Sequence, residues 1–216
     1  MNLKKLAAWG GIAYPVLQLI AQGLIQIGGA EPSFSAPAAE ILAFFQNRDP
    51  ALAMIGGYLS VLSAIPFIWF TAALWDELRN LEGGGAWLSA VALGSSLVTA
   101  AALLDPGGWG PAVFRVGEGL DPGLARALFD EGNLNFANFW IALASMLLAA
   151  GAVLRQSDRH PGWLGWSALA LAAGFLLARF FWTSPAAFAP YVFFWLWMIV
   201  MGARMARRTG PQQEAT

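Results

Sequence analysis

The 216-residue sequence contains no cysteine and only one histidine, His160. The absence of cysteine excludes disulfide frameworks, thiol nucleophiles, iron–sulfur clusters and thiolate zinc sites. A single histidine also excludes histidine-rich metal sites and bis-histidine haem ligation. Any chemistry must therefore use carboxylates, arginine, amides, hydroxyls or an imported group, and we predict neither a metal site nor a resident cofactor.

Charged residues are scarce as well, at 12% of the chain, and they leave a formal net charge of -1. This balance excludes a basic nucleic-acid-binding protein, so no nucleic acid is expected as a partner. Apolar residues make up 58% of the sequence and the mean hydropathy is +0.57, well above the range of soluble domains. The composition indicates one integral membrane domain with room for several spans of about 20 residues.

Six apolar segments are long enough to cross a membrane as helices, which predicts an all-α bundle. Lys4 and Lys5 precede the first segment, as in a signal peptide or signal anchor, but its length and its glutamines favour a retained helix. Pro66 predicts a kink in the second span. The predicted spans are about 6–29, 50–75, 86–104, 134–154, 162–182 and 185–204, and residues 205–216 are predicted to form a flexible cytoplasmic tail.

Two of the connections, residues 30–49 and 105–133, are each predicted to carry a short amphipathic helix. Pro37 can occupy the first turn of one helix, and Asp121-Pro122 begins the other. Both helices are expected to lie in the membrane interface or to cover the bundle. Their apolar sides consist of Ile41, Leu42, Phe44 and Phe45 in the first, and of Leu124, Leu128 and Phe129 in the second.

The distribution of positive charge predicts the orientation in the membrane. With the N-terminus inside, most lysines and arginines fall in the inner segments, as the positive-inside bias requires. Tryptophans near both ends of the spans indicate the two aromatic belts. The protein is therefore predicted to lie in the cell membrane with both termini in the cytoplasm. The inner cations are Lys4, Lys5, Arg79, Arg155, Arg159, Arg204, Arg207 and Arg208, and the outer loops hold Arg48, Arg115 and Arg126.

A polar series runs along the first span, where Tyr14, Gln18, Gln22 and Gln26 recur every four residues. On a helix they share one broad face, which must meet other helices or a water-filled cavity rather than lipid. Hydrogen bonding between helices would be worth about 0.6 kcal/mol per contact. We predict that Gln18 bonds to a neighbouring helix, for which serines of the second span are candidates, and that Gln22 and Gln26 line a hydrated pocket open to the outside.

Asp105, Asn138 and Arg179 are predicted to lie near the same outer level. Counted from tryptophans at the inner belt, the two charges differ in depth by about 3 Å at a rise of 1.5 Å per residue. A salt bridge between Asp105 and Arg179 is feasible. Alternatively, Arg179 reaches the outer lipid headgroups and Asp105 caps the end of a helix.

Gln22, Gln26, Asp105, Asn138 and Arg179 together form the predicted ligand-binding set. Their outer position favours a non-enzymatic membrane protein that binds or passes a lipophilic or amphiphilic small molecule. Two alternatives remain open: a membrane-embedded isomerase or cyclase with Asp105 as acid or base and Arg179 as its electrostatic partner, and a structural subunit of a membrane complex. Membrane lipids are expected partners in each case, and self-association into a homo-oligomer is left open.

The order of these elements and one local motif resemble a known class. A first span is followed by a short outer helix, a helical hairpin, a longer outer loop with another short helix, and then Arg-His-Pro-Gly-Trp-Leu-Gly-Trp at residues 159–166. This order resembles that of uncharacterised bacterial six-span integral membrane proteins, grouped as domains of unknown function. The resemblance implies the topology and brings no catalytic residue. Pro161 and Gly162 are predicted to begin a helix at the inner interface, and His160 is expected to be solvated or to face headgroups.

Overall fold

The structure, a computed structural model, describes residues 3–27, 29–105 and 107–208. Within these ranges the chain forms helices, turns and loops without β-strands, and six helical segments are long and apolar enough to cross a membrane. The predicted all-α, six-span fold is therefore confirmed. The α-helices of the described ranges are α1 (Leu3–Ile25), α2 (Ala38–Gln46), α3 (Pro50–Leu62), α4 (Ala64–Glu82), α5 (Trp87–Leu104), α6 (Trp109–Arg115), α7 (Pro122–Arg155), α8 (Gly162–Phe180) and α9 (Ala189–Arg208), with a 3-10 turn at Pro185–Phe188.

The second span consists of two helices, α3 and α4, that meet at Ser63. Pro66 lies three residues further on, and it has no amide hydrogen to donate to the carbonyl of Leu62. Its ring also crowds that carbonyl, so the α-helical bonding is interrupted just before it. The break between α3 and α4 thus falls beside Pro66, and the kink itself stays a prediction. Asp49 begins this span by accepting hydrogen bonds from the amides of Ala51 and Leu52, at 2.9 and 3.1 Å.

Helix α7 differs from the prediction, because the second amphipathic segment and the fourth span form one continuous helix of 34 residues. Asp121 caps it by accepting from the amides of Gly123 and Leu124. Asn133, which suggested a new helix start, donates from its side chain to the carbonyl of Phe129 at 3.0 Å and so stays within the helix. At 1.5 Å per residue α7 is about 51 Å long against a hydrocarbon core of about 30 Å, so its first turns project beyond the membrane.

The last span also differs at its end. Helix α9 continues to Arg208, and Met205 and Ala206 are buried, so residues 205–208 of the predicted tail are helical. The remainder of that tail, 209–216, lies outside the described residues. Helix α8 begins at Gly162 directly after Pro161, as predicted from the motif.

The six spans pack around an aromatic core. Helix α1 packs against α3, α4 and α9, while α7 packs between α5 and α8. Tyr14 of α1 and Tyr191 of α9 join their hydroxyl groups at 2.6 Å in the centre. The buried ring of Phe67 packs against Tyr14, and that of Phe194 packs against Tyr191, with ring centres 5.2 and 6.4 Å apart. Large side chains therefore fill the middle of the bundle.

The segment 29–37, α2, α6 and the first turns of α7 form a second hydrophobic unit that we call the outer cap. Arg126 ties it together, because its guanidinium donates to the carbonyls of Phe34 and Ala36 at 2.9 and 2.7 Å and to Asp130 at 2.9 Å. Leu124 was expected on the buried side but is 41% exposed. The buried core of the cap consists of Ala36, Ile41, Phe44, Phe45, Ala112, Leu120, Ala125 and Phe129.

The opposite end of the bundle, which we call the basic end, is held by ion pairs. Lys4 pairs with Asp76 at 2.9 Å, and Glu77 lies 2.8 Å from Nε2 of His160 and 3.6 Å from Nη1 of Arg208. His160 is only 3% exposed, so the expectation of a solvated or headgroup-facing histidine was wrong. The ends of α4 and α9 pack over His160, and the sequence of the loop that holds His160 does not indicate this packing.

Candidate functional site

Arg179 and Asn138 form a polar pair between α8 and α7. One terminal nitrogen of the Arg179 guanidinium, Nη2, donates to the side-chain oxygen of Asn138 at 2.9 Å. Both residues lie about 26 Å along their helices from the basic end, counted from Gly162 and Arg155. This distance places them near the far side of a hydrocarbon core of about 30 Å.

Arg179 also has a buried hydrogen-bond donor without a partner among the described residues. Its Nε atom is buried, yet it makes no hydrogen bond within the described chain. An unpaired buried donor costs about 1–3 kcal/mol, and more when the group is charged. The pair is therefore oriented by Asn138 but not satisfied by it.

An apolar groove runs from the neighbourhood of this pair to the first turns of α5, and we call it the outer groove after the pair at its outer end. Its volume is about 360 Å³. Ile141 follows Asn138 by three positions on α7, and Leu176 precedes Arg179 by three on α8, so the groove begins one turn from the pair. It is lined by Leu88, Val91, Ile141, Ala144, Ser145, Leu148, Ala149 and Leu176.

The floor of the outer groove contains one polar contact, since Ser95 donates to the hydroxyl of Ser145 at 2.8 Å. All the other lining residues are apolar. A polar pair near the membrane surface and an apolar groove at hydrocarbon depth match the two parts of an amphiphile.

Aromatic residues connect the pair with the outer cap. The guanidinium carbon of Arg179 lies 6.0 Å from the centre of the Trp182 ring. Trp182 in turn contacts Phe34 edge to face at 4.4 Å between ring centres. Because Arg126 holds the backbone of Phe34, the cap fixes the position of Trp182 above the pair.

The glutamines of α1 lie elsewhere. Gln18 is buried and donates to the hydroxyl of Ser63 at 2.8 Å, while Ser60 donates to the Gln18 carbonyl at 3.4 Å, so its predicted bonding to a neighbouring helix is confirmed. Gln22 is partly exposed and Gln26 is exposed. Neither lines the outer groove, and in the described ranges α1 contacts neither α7 nor α8. The structure does not bring Gln22 and Gln26 to the pair, and their part in ligand binding stays a prediction.

Asp105 lies at the end of α5, where its carboxylate accepts from the amide of Gly107 at 2.9 Å. Asp105 thus caps the end of the helix, which was the predicted alternative to a salt bridge with Arg179. Within the described residues Asp105 and Arg179 form no ion pair, and Arg179 is oriented by Asn138 instead. An acid–base mechanism that needs Asp105 beside Arg179 is not supported by this arrangement. No cluster of metal-binding side chains occurs in the part of the chain that the structure describes.

The outer cap holds another buried cation, Arg48, which is 5% exposed. It donates to the carbonyl of Gly29 at 3.3 Å and stacks on the ring of Phe44 at 3.8 Å. Burial lowers the pKa of Arg48, and the negative charge of Glu31 opposes this effect. Arg48 thus joins the start of segment 29–37 to Phe44 of α2, and it does not line the outer groove.

The sequence did not identify the residues that line the outer groove, although some of them recur at helical spacing. Asn138, Ile141, Ser145 and Leu148 recur at helical spacing and mark one face of α7. The same spacing is typical of a face buried against another helix, so the pattern alone could not identify a groove. Arg126 and Asp130 were also visible as an i, i+4 pair on a helix.

No family model, no curated protein and no solved structure matches this chain. The resemblance to six-span proteins of unknown function therefore stays a prediction. By its own fold, the chain is a multi-pass helical membrane protein.

Proposed function

We propose that the protein binds an amphiphile whose anionic head lies in the outer half of the membrane. Arg179, positioned by Asn138, holds the head, and the outer groove takes an apolar chain. The observation that carries this proposal is the buried, unpartnered Nε of Arg179 at the polar end of an apolar groove. Of the five residues predicted to bind a ligand, Asn138 and Arg179 belong to the proposed site.

The chemistry of the pair favours a phosphate or a carboxylate as the head. Guanidinium presents its N–H groups in a planar fork that fits either anion with two parallel hydrogen bonds. Asn138 accepts from Nη2 and thereby fixes the plane of the fork, and the buried Nε has no partner among the described residues. A phospholipid of the surrounding membrane and a free amphiphile share this chemistry.

Binding is favoured over passage across the membrane. The middle of the bundle is occupied by the buried rings of Tyr14, Trp140, Phe175 and Phe194. The outer groove lies on the lipid-facing side of α7 and α8, where Ile141 is 52% exposed. A chain can therefore enter sideways from the bilayer without crossing the core.

The first test is Arg179→Gln, which removes the charge and the fork but keeps a polar side chain. We expect about tenfold weaker retention of phosphatidylglycerol, the loss of one charge-assisted interaction, in native mass spectrometry of the purified protein. Phosphatidylcholine retention should change less. Arg115→Gln, at an exposed arginine of the outer cap, is the matched control and should retain lipid like the wild type.

A second pair of variants tests the groove without touching the charge. Leu176→Trp should fill the outer groove and reduce retention, whereas Leu177→Trp, at an exposed position outside the groove, should not. If the bound molecule is a free amphiphile and not a membrane lipid, its mass should remain bound after the protein is exchanged into phosphatidylglycerol alone. Equal retention in wild type and Arg179→Gln would refute the proposal and favour a structural subunit.

We also propose that the basic end faces the cytoplasm, which places both termini inside the cell. Because the chain has no cysteine, single cysteines report on topology without background. Glu118→Cys, exposed in the outer cap, should react with an impermeant maleimide on intact cells, and Asn80→Cys, exposed at the end of α4, should react only after lysis. The reverse labelling pattern would overturn this orientation, and the outer and inner leaflets would then be exchanged.

A further inference from the structure

A second groove lies on another side of α8, against α9, and we call it the inner groove. It is the larger of the two, with a volume of about 500 Å³. From Trp163 to Gly174 it extends about 16 Å along α8. It is lined by Trp163, Ser167, Ala170, Leu171, Gly174, Ala189, Pro190, Phe193, Leu196, Trp197 and Val200.

The walls of the inner groove are largely apolar in chemistry, because the polar side-chain atoms of Trp197 and Ser167 are bonded to the backbone. The indole nitrogen of Trp197 donates to the carbonyl of Leu164 at 3.1 Å. The hydroxyl of Ser167 donates to that same carbonyl at 3.0 Å. The surface that these residues leave suits a hydrocarbon chain.

Arg204 lies at the basic end of this groove. It follows Val200 by four positions on α9 and Trp197 by seven, so it projects from the face of the helix that lines the groove. Its Nε atom is buried and makes no hydrogen bond within the described residues. Two other cations at this end are engaged, since Arg208 contacts Glu77 and Lys4 pairs with Asp76.

We infer that the inner groove binds an anionic phospholipid from the leaflet at the basic end, with its phosphate at Arg204 and an acyl chain along α8 and α9. The argument is charge complementarity: an unpartnered guanidinium nitrogen adjoins an apolar groove of hydrocarbon depth. Trp163, exposed at the start of α8, lies at the level where indole rings favour the membrane interface. This site uses none of the residues of the outer groove and does not depend on the function proposed there.

The test uses the whole protein in nanodiscs that contain phosphatidylglycerol with a photoreactive diazirine on its acyl chain. Cross-links located by mass spectrometry should fall on the groove residues of α8 and α9, such as Ala170 and Phe193. Arg204→Gln should lower this labelling about fivefold, as expected for one arginine near an anionic surface. Arg79→Gln, an exposed arginine at the same end but on α4, should leave it unchanged.

Ala170→Phe is the second variant, since it fills the groove while Arg204 stays in place, and it should remove the labelling as well. Equal labelling by a phosphatidylcholine probe, or unchanged labelling in Arg204→Gln, would overturn the inference. A disulfide between two copies of the Ala170→Cys variant would do so too, because a second copy would then occupy the groove. Arg179→Gln should not affect these cross-links, so failure of the outer site and failure of the inner site are distinguishable. Thermal unfolding of each variant confirms that it is folded.

Discussion

Replacing Gly10 by alanine should destabilise the bundle by about 3 kcal/mol, the upper part of the range for overpacking a close contact. Helix α1 crosses α4 at this glycine, and an added Cβ would overlap the carbonyl oxygen of Pro66. It would also lie 3.1 Å from the backbone nitrogen of Phe70. Neither neighbour can rotate away, because both are main-chain atoms, so the two helices must separate.

Thermal unfolding in detergent measures this effect, with Gly23→Ala as the matched control. Gly23 lies on the same helix, and a Cβ there meets nothing within 4 Å. Alanine improves helix propensity equally at both positions. The difference between the two variants therefore isolates the steric contact, and equal melting temperatures would show that α1 and α4 do not cross here.

Replacing Phe129 by alanine should cost about 3–5 kcal/mol of cap stability, the usual range for deleting a buried phenyl ring. Phe129 is 1% exposed and lies among Phe34, Phe44 and Trp109, with ring centres at 6.0 to 6.3 Å. The outer cap projects beyond the membrane and has a small hydrophobic core of its own. The lost stability should therefore fall on the cap. We expect faster hydrogen exchange in α2 and α6, while the membrane helices remain protected.

Leu124→Ala is the control for this prediction, since the sequence assigned both residues to one apolar side. Leu124 is 41% exposed. Its replacement should change the free energy of opening that hydrogen exchange measures by less than about 0.5 kcal/mol, as for other surface positions. Similar effects at the two positions would mean that the cap lacks the core described here. Uniform loss of protection over all helices would instead mean that cap and bundle unfold together.

The two proposed sites share one physical feature. In each, an arginine with an unpartnered buried Nε adjoins an apolar groove on the lipid-facing surface of α8. Arg179 and Arg204 lie near opposite ends of the bundle, so the anionic heads would be held in opposite leaflets. Arg179 and Arg204 can be replaced separately, which allows each site to be measured with the other intact.

The sequence by itself determined the spans and several local details. A run of about 20 apolar residues must form a helix in lipid, because no water is present there to bond an open backbone. Pro66 interrupts its helix through its own ring, and Asp49 and Asp121 cap theirs through bonds to amides two and three residues away. Such effects act within a few residues, so the local sequence is sufficient to predict them. The bonding of Gln18 was predictable for a related reason, since a buried amide in hydrocarbon requires a partner.

The tertiary structure alone decided which helix faces meet. Asn138 and Arg179 are 41 positions apart, and their contact depends on how α7 packs against α8. The burial of His160 depends likewise on Glu77 and Arg208, which come from distant parts of the chain. The grooves arise where packed helices leave a gap, and a groove-lining stripe has the same 3.6-residue period as a core stripe. Periodicity shows that a face is apolar, but only the packing of the other helices determines whether protein or lipid covers it.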